Sequence, residues 1–140
     1  MRLSAQGSRC SLNSKSFHPK REQLDEEEEM GFIKHGKEAR ESIGERRERY
    51  LGHTDKLMMV VIDFNDGPTS EPDPPHSHPH EQMSYVVTGE LVVHIGDEQE
   101  KLGPGDMFTV PPDVPHTVQL LTEQVRLVDC FTPLREDFLK

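Results

Sequence analysis

The chain has 140 residues, a length that points to one domain, but only 32% of them are hydrophobic. Its formal charge of −10 divides into +1 over residues 1–57 and −11 over 58–140, which leaves no basic footprint for nucleic acid or an anionic membrane. No apolar run reaches bilayer length, and two cysteines, Cys10 and Cys130, give neither a disulfide framework nor a CxxC, so a reducing, cytoplasmic setting is expected.

Residues 1–29 read as a largely disordered N-terminal extension, too poor in apolar side chains to fold alone. Arg2, Arg9, Lys15, Lys20 and Arg21, with five serines and no acid before Glu22, give its start a weak likeness to an organelle transit segment. Composition favours a solvated tail, or a start at Met30. Glu22 to Glu29 is a charge block. Residues 31–56 are polar, with Phe32, Ile33, Ile43, Tyr50 and Leu51 as anchors, and predict an edge strand or arm with short helical turns. A domain spanning 30–140, with its barrel core at about 57–132, follows.

Every valine lies after Met59. Leu57 to Phe64 is a continuous apolar strand closed by the turn Asn65-Asp66-Gly67-Pro68, and Pro68 to Pro75 is a proline-rich loop. Met83 to Thr88, Leu91 to Ile95, Glu98 to Leu102, Met107 to Val110, His116 to Leu121 and Gln124 to Phe131 follow as short strands, with glycine turns at Gly89, Gly96 and Gly103 to Gly105. A helical turn at Arg135 to Leu139 ends the chain. Short strands with no amphipathic helix between them predict an all-β sandwich or barrel.

Five of the eight histidines fall between residues 76 and 116. On an extended chain His76 and His78 point to one face, and two imidazoles there, with ligands from neighbouring strands, can close a first-row metal site. Three surface histidines in a polar loop are the plainer reading of the same residues. Prolines flank both His76-Ser77-His78 and His116, and stiffen the backbone that carries them. Tyr85 and His94 read as core or structural residues, and His80 as a group that orients a ligand or a substrate oxygen.

Further spacing resembles a known family. His76-x-His78-(x3)-Gln82-(x6)-Gly89 is similar to the first cupin motif, and Gly105-(x5)-Pro111-x-Asp113-(x2)-His116 to the second. This chain departs from the family pattern at Gln82, where an acid is usual, at Asp113 in place of a turn glycine, and at Leu120 in place of an asparagine. His76 to Gln82, Tyr85-Val86-Val87-x-Gly89-Glu90 and Asp129-x-Phe131-x-Pro133-x-Arg135-Glu136-Asp137 are similar to the KdgF-type cupins of pectin degradation. The resemblance implies a single-domain RmlC-like jelly roll. It implies one divalent transition metal (nickel, zinc, iron or manganese) held by His76, His78, Gln82 and His116. It also implies an isomerase that converts cyclic 4,5-unsaturated monouronates to linear 5-keto-4-deoxyuronate, with Asp129, Phe131 and Arg135 as functional residues.

The residues support this chemistry on their own terms. Val125, Leu127, Asp129 and Phe131 share one strand face, so a barrel that buries the first two also buries a carboxylate. Burial raises its pKa toward a useful acid–base range. Otherwise Asp129 is a strand-end partner of Arg126 or Arg135. Arg135 can clamp a substrate carboxylate, or pair with Glu136 or Asp137. Three imidazoles and an amide leave a divalent ion's charge uncompensated, which favours a small anionic sugar as partner. A non-catalytic sugar-binding cupin and an Fe(II) dioxygenase are the alternatives. The open edge of a single cupin and the apolar strand Leu57 to Phe64 predict a homodimer, with the N-terminal arm exchanged across it.

Overall fold

The computed structural model describes residues 31–140, so the expected extension at 1–29 lies outside the described residues. Nine antiparallel strands follow in order: β1 (Glu41–Gly44), β2 (Arg47–His53), β3 (Met58–Phe64), β4 (Glu81–Thr88), β5 (Leu91–Ile95), β6 (Glu98–Leu102), β7 (Met107–Val110), β8 (His116–Leu120) and β9 (Val125–Thr132). A 3₁₀ turn, Glu136–Phe138, ends the fold. One sheet runs β1-β2-β3-β9-β4-β7 and the other β6-β5-β8, the two-sheeted all-β architecture that the strand spacing predicts.

The proline-rich loop completes the smaller sheet. Thr69 N–H donates to Leu120, Asp73 N–H to Val118 and His76 N–H to His116, so the loop runs along the free edge of β8. Prolines remove the donors of a regular ladder, and only an isolated bridge, His76 to His116, forms. Arg47 ties the loop to β2 through Asp66 at 2.9 Å and Asp73 at 2.6 Å. Gly89 turns β4 into β5 at φ 83°, and a Cβ there would lie 2.2 Å from the Gln124 carbonyl oxygen.

The strand register stacks the interior of the larger sheet in rows. Met58, Phe131, Gln82 and Val110 form one row, Val60, Asp129, Ser84 and Phe108 the next, and Ile62, Leu127 and Val86 the one below. The lowest row belongs to the main apolar core, with Phe64, Leu91, Val93, Leu120 and Val125. Met58, Val60 and Phe131 form a second cluster, capped by Leu51, Leu134 and Phe138. The polar side chains in the two upper rows therefore stand on an apolar floor.

Two expectations change. Residues 41–53 form a hairpin with no helical turn, and β2 pairs with β3 along seven residues. The apolar strand β3 therefore lies inside the sheet, between β2 and β9. Tyr85 is not core: its alternation on β4 is opposite to Gln82 and Ser84, and it is 42% exposed on the outer face.

Candidate metal centre and active site

His76 and His116 meet across the bridge between the loop and β8, and His78 follows two residues on. The three rings offer donor atoms within 4.8 Å of one another, the one such group of metal-capable side chains among the described residues. Asp113 helps to hold them in place. It sits at φ 65°, as the turn in the second motif requires, and its N–H donates to the His78 carbonyl at 2.8 Å. That bond ties the two motif loops together.

Backbone carbonyls set the tautomers. His78 Nδ1 donates to the His80 carbonyl at 3.0 Å and His116 Nδ1 to the Val114 carbonyl at 2.8 Å. A neutral ring that donates from Nδ1 leaves a bare lone pair on Nε2. His116 Nε2 is buried and has no partner. His78 Nε2 faces Gln82 Oε1 at 3.0 Å, one acceptor against another. A divalent first-row ion relieves both problems, so the donor set fits a metal. Burial first, then the neighbouring histidines and Arg135, lowers His76 to about 4 and so keeps its ring neutral, and burial likewise pulls His116 down.

Below the histidines the register delivers a polar chain. Gln82 and Ser84 are two apart on β4, and Asp129 lies opposite Ser84 on β9. Gln82 Nε2 donates to Ser84 Oγ at 2.9 Å, and Ser84 Oγ donates to Asp129 Oδ1 at 2.5 Å. All three side chains are buried. Burial pushes the Asp129 carboxyl up to about 6, while the Ser84 hydroxyl and the Arg135 charge pull it part of the way back. Alternation along β9 sends Cys130 to the opposite face.

Phe131 stands edge-on to His78, ring centres 5.5 Å apart. Arg135 covers Phe131 at 5.2 Å and Phe138 at 3.9 Å, and its Nη2 donates to Asp137 at 2.8 Å. Its charge acts on His76, His116 and Asp129 alike. The fold thus gathers the residues singled out from sequence at one end of the interior, with Arg135 paired to Asp137 and stacked on Phe131. Sequence reasoning missed Ser84, although it shares strand parity with Gln82, and Arg49, whose guanidinium lies 3.8 Å from the Phe138 ring centre.

A short antiparallel barrel with a histidine cluster carried on its HxH loop and on β8 is the cupin arrangement, and residues 61–131 match the cupin domain family. The chain belongs to that family. Within it the chain is KdgF-like: it is 35% identical over 94 residues to the pectin degradation protein KdgF of Dickeya dadantii, covering 66% of this chain and 83% of that one. The structure of KdgF from Halomonas sp. matches with a TM-score of 0.70 at 30% identity, over 77% of this chain and 99% of that one. An RmlC-like cupin from Shewanella frigidimarina matches at 0.69 and 38% identity, over 76% and 94%.

Proposed function

We propose that the chain is a metal-dependent isomerase that opens cyclic 4,5-unsaturated monouronates from pectin or alginate to linear 5-keto-4-deoxyuronate. One observation carries the reading: a buried carboxyl, Asp129, stands one hydroxyl away from the amide of Gln82 beside the histidine cluster. The name of the Dickeya relative, a pectin degradation protein, supports it. A nickel, zinc, iron or manganese ion held by His76, His78, Gln82 and His116 would supply Lewis acidity toward substrate oxygens.

The reaction moves protons and needs no redox partner. Asp129 as carboxylate accepts the proton of the anomeric hydroxyl. C1 becomes a carbonyl as the bond from C1 to the ring oxygen breaks, and the electron pair passes to that oxygen as an enolate. Asp129, now the acid, returns the proton to C4. A pKa near 6 suits a group that must accept and then release it close to neutrality. Phe131 walls the sugar ring. Arg135 exchanges Asp137 for the substrate carboxylate, which also balances the charge of the ion.

The test is loss of ultraviolet absorbance by a freshly prepared 4,5-unsaturated monouronate, corrected for spontaneous opening. Fast loss with the wild type, abolished by Asp129→Asn and by metal stripping, is expected. No acceleration over background sinks the proposal. Oxygen consumption in its place would mark a dioxygenase, and tight sugar binding without turnover a binding protein.

The partner expected beyond the sugar is a second copy of the chain. Met59, Cys130 and Met83 form one row on the outer face of the larger sheet, and Val61, Val128, Tyr85 and Met107 the next. Met59, Met83, Tyr85 and Met107 are 42–58% exposed, with no charge among them in a strongly acidic chain. Asp63 and Arg126 at one end and Glu81 at the other supply a polar rim. Ile33 leans over this face at Gly52, where a Cβ would meet it at 2.7 Å, which sets the arm beside the seam for exchange.

A further inference from the structure

The proposed chemistry leaves a buried hydroxyl beside the ligand set unused. Ser84 is 1% exposed and lies between Gln82 and Asp129. A hydroxyl has one proton to give. The 2.5 Å contact to Asp129 Oδ1 has the length of a hydrogen bond to a charged carboxylate, so the proton points there. Only lone pairs then face Gln82, and only the amide NH₂ can meet them, at 2.9 Å. The amide oxygen is left to face His78 Nε2. The reversed amide would satisfy His78 but would set an oxygen against the Ser84 lone pairs, between two buried side chains.

We infer that Ser84 is a positioning residue: its hydroxyl fixes the Gln82 side chain with oxygen, not nitrogen, toward the histidines and the metal. Without it nothing prevents the amide from turning over and donating to His78 Nε2. An amide NH₂ is not a ligand, and its hydrogen bond would occupy the lone pair that His78 gives to the ion. The same hydroxyl links the ligand set to Asp129, so the orientation of Gln82 follows from the charge one residue away. The inference rests on the metal-site reading above, but not on the uronate reaction.

The experiment measures zinc affinity by competition with a chromophoric chelator at pH 8, on the full chain without substrate. The panel is wild type, Ser84→Ala, Ser84→Thr, Gln82→Ala and the double variant Ser84→Ala/Gln82→Ala. Loss of a group that orients a ligand weakens metal binding by about 10–100-fold, and Ser84→Ala is expected in that range. Ser84→Thr, which keeps the hydroxyl, restores most of the affinity. The double variant binds no more weakly than Gln82→Ala alone, because the serine acts only through the glutamine. Zinc affinity of Ser84→Ala within about twofold of wild type, or losses that multiply in the double variant, overturn the inference. A second readout covers a variant that does not fold. In zinc-loaded wild type, the side-chain NH₂ signal that disappears in Gln82→Ala exchanges slowly with solvent, since it donates to a buried oxygen. A fast-exchanging Gln82 amide overturns the inference by itself.

Discussion

The guanidinium of Arg135 lies 3.9 Å from the centre of the Phe138 ring, with Arg49 approaching the same ring at 3.8 Å. The 3₁₀ turn therefore carries the ring that holds Arg135 over Phe131. Removal of the ring frees the guanidinium without touching the histidines or Asp129. Phe138→Ala is expected to raise KM about tenfold with kcat nearly unchanged, the pattern of lost uniform binding. Partial burial of the ring limits the stability loss to about 1–3 kcal/mol. Steady-state kinetics beside a urea titration check both, and an unchanged KM would show that Arg135 needs no such support.

Asp129 sets the pH dependence of activity and opposes stability. Its carboxyl is held near 6 by burial, against an ordinary 3.8. Activity that needs the carboxylate should fall about tenfold per pH unit below that value. Because the folded-state pKa is raised, the folded protein binds the proton more tightly than the unfolded chain. The cost of ionising Asp129 is absent below about pH 4, grows between 4 and 6, and reaches about 3 kcal/mol above 6. In metal-free protein, Asp129→Asn is thus more stable than wild type at pH 8 and converges with it near pH 4, and the metal-loaded variant is inactive throughout. Equal denaturation midpoints at pH 8 would mean that the carboxylate is better solvated than its burial implies.

The chemistry-bearing part of the fold was legible because strand alternation and turn residues are local signals. Val125, Leu127, Asp129 and Phe131 face inward together, and Asp113 takes its positive φ without glycine. The β1–β2 hairpin was not legible. Its strands are charged, and they hold through seven register pairs with β3 and through ion pairs such as Arg47 with Asp66 and Asp73, all distant in sequence. An apolar residue on the outer face also reads like core, which is why Tyr85 was expected inside. The role of Ser84 depends on which residue β9 sets opposite it, and pairing across 45 residues leaves no local trace.

Asp63 on β3 joins β9 and the segment just before β1 at the end of the sheet away from the histidines. Arg126 grips it through two bonds of 2.6 and 2.8 Å, and Arg40 adds a third at 3.1 Å. The Arg126 hydrogen bond, then that of Arg40, holds its carboxyl below the usual carboxylate range against the effect of burial. A lowered folded-state pKa gives stability that is present above about pH 4 and is lost as pH falls through the depressed value. Asp63→Asn is expected to cost about 1–2 kcal/mol at pH 7, reduced from a fully buried pair by partial exposure. The penalty should shrink toward pH 2. A penalty independent of pH would assign the effect to packing.

The outer sheet face gives the second-copy proposal its sharpest test. Met83 is half exposed at the centre of that face and points away from Gln82 and Ser84, its neighbours on β4. A lysine there places one charge from each copy into the apolar seam without entering the interior. Light scattering after gel filtration should give wild type at twice the chain mass and Met83→Lys at the chain mass. Zinc affinity should persist in the variant, since none of the metal-facing side chains lies on this face. A wild type that runs as a monomer at tens of micromolar would remove the second copy, and leave the exposed methionines and Tyr85 without a partner.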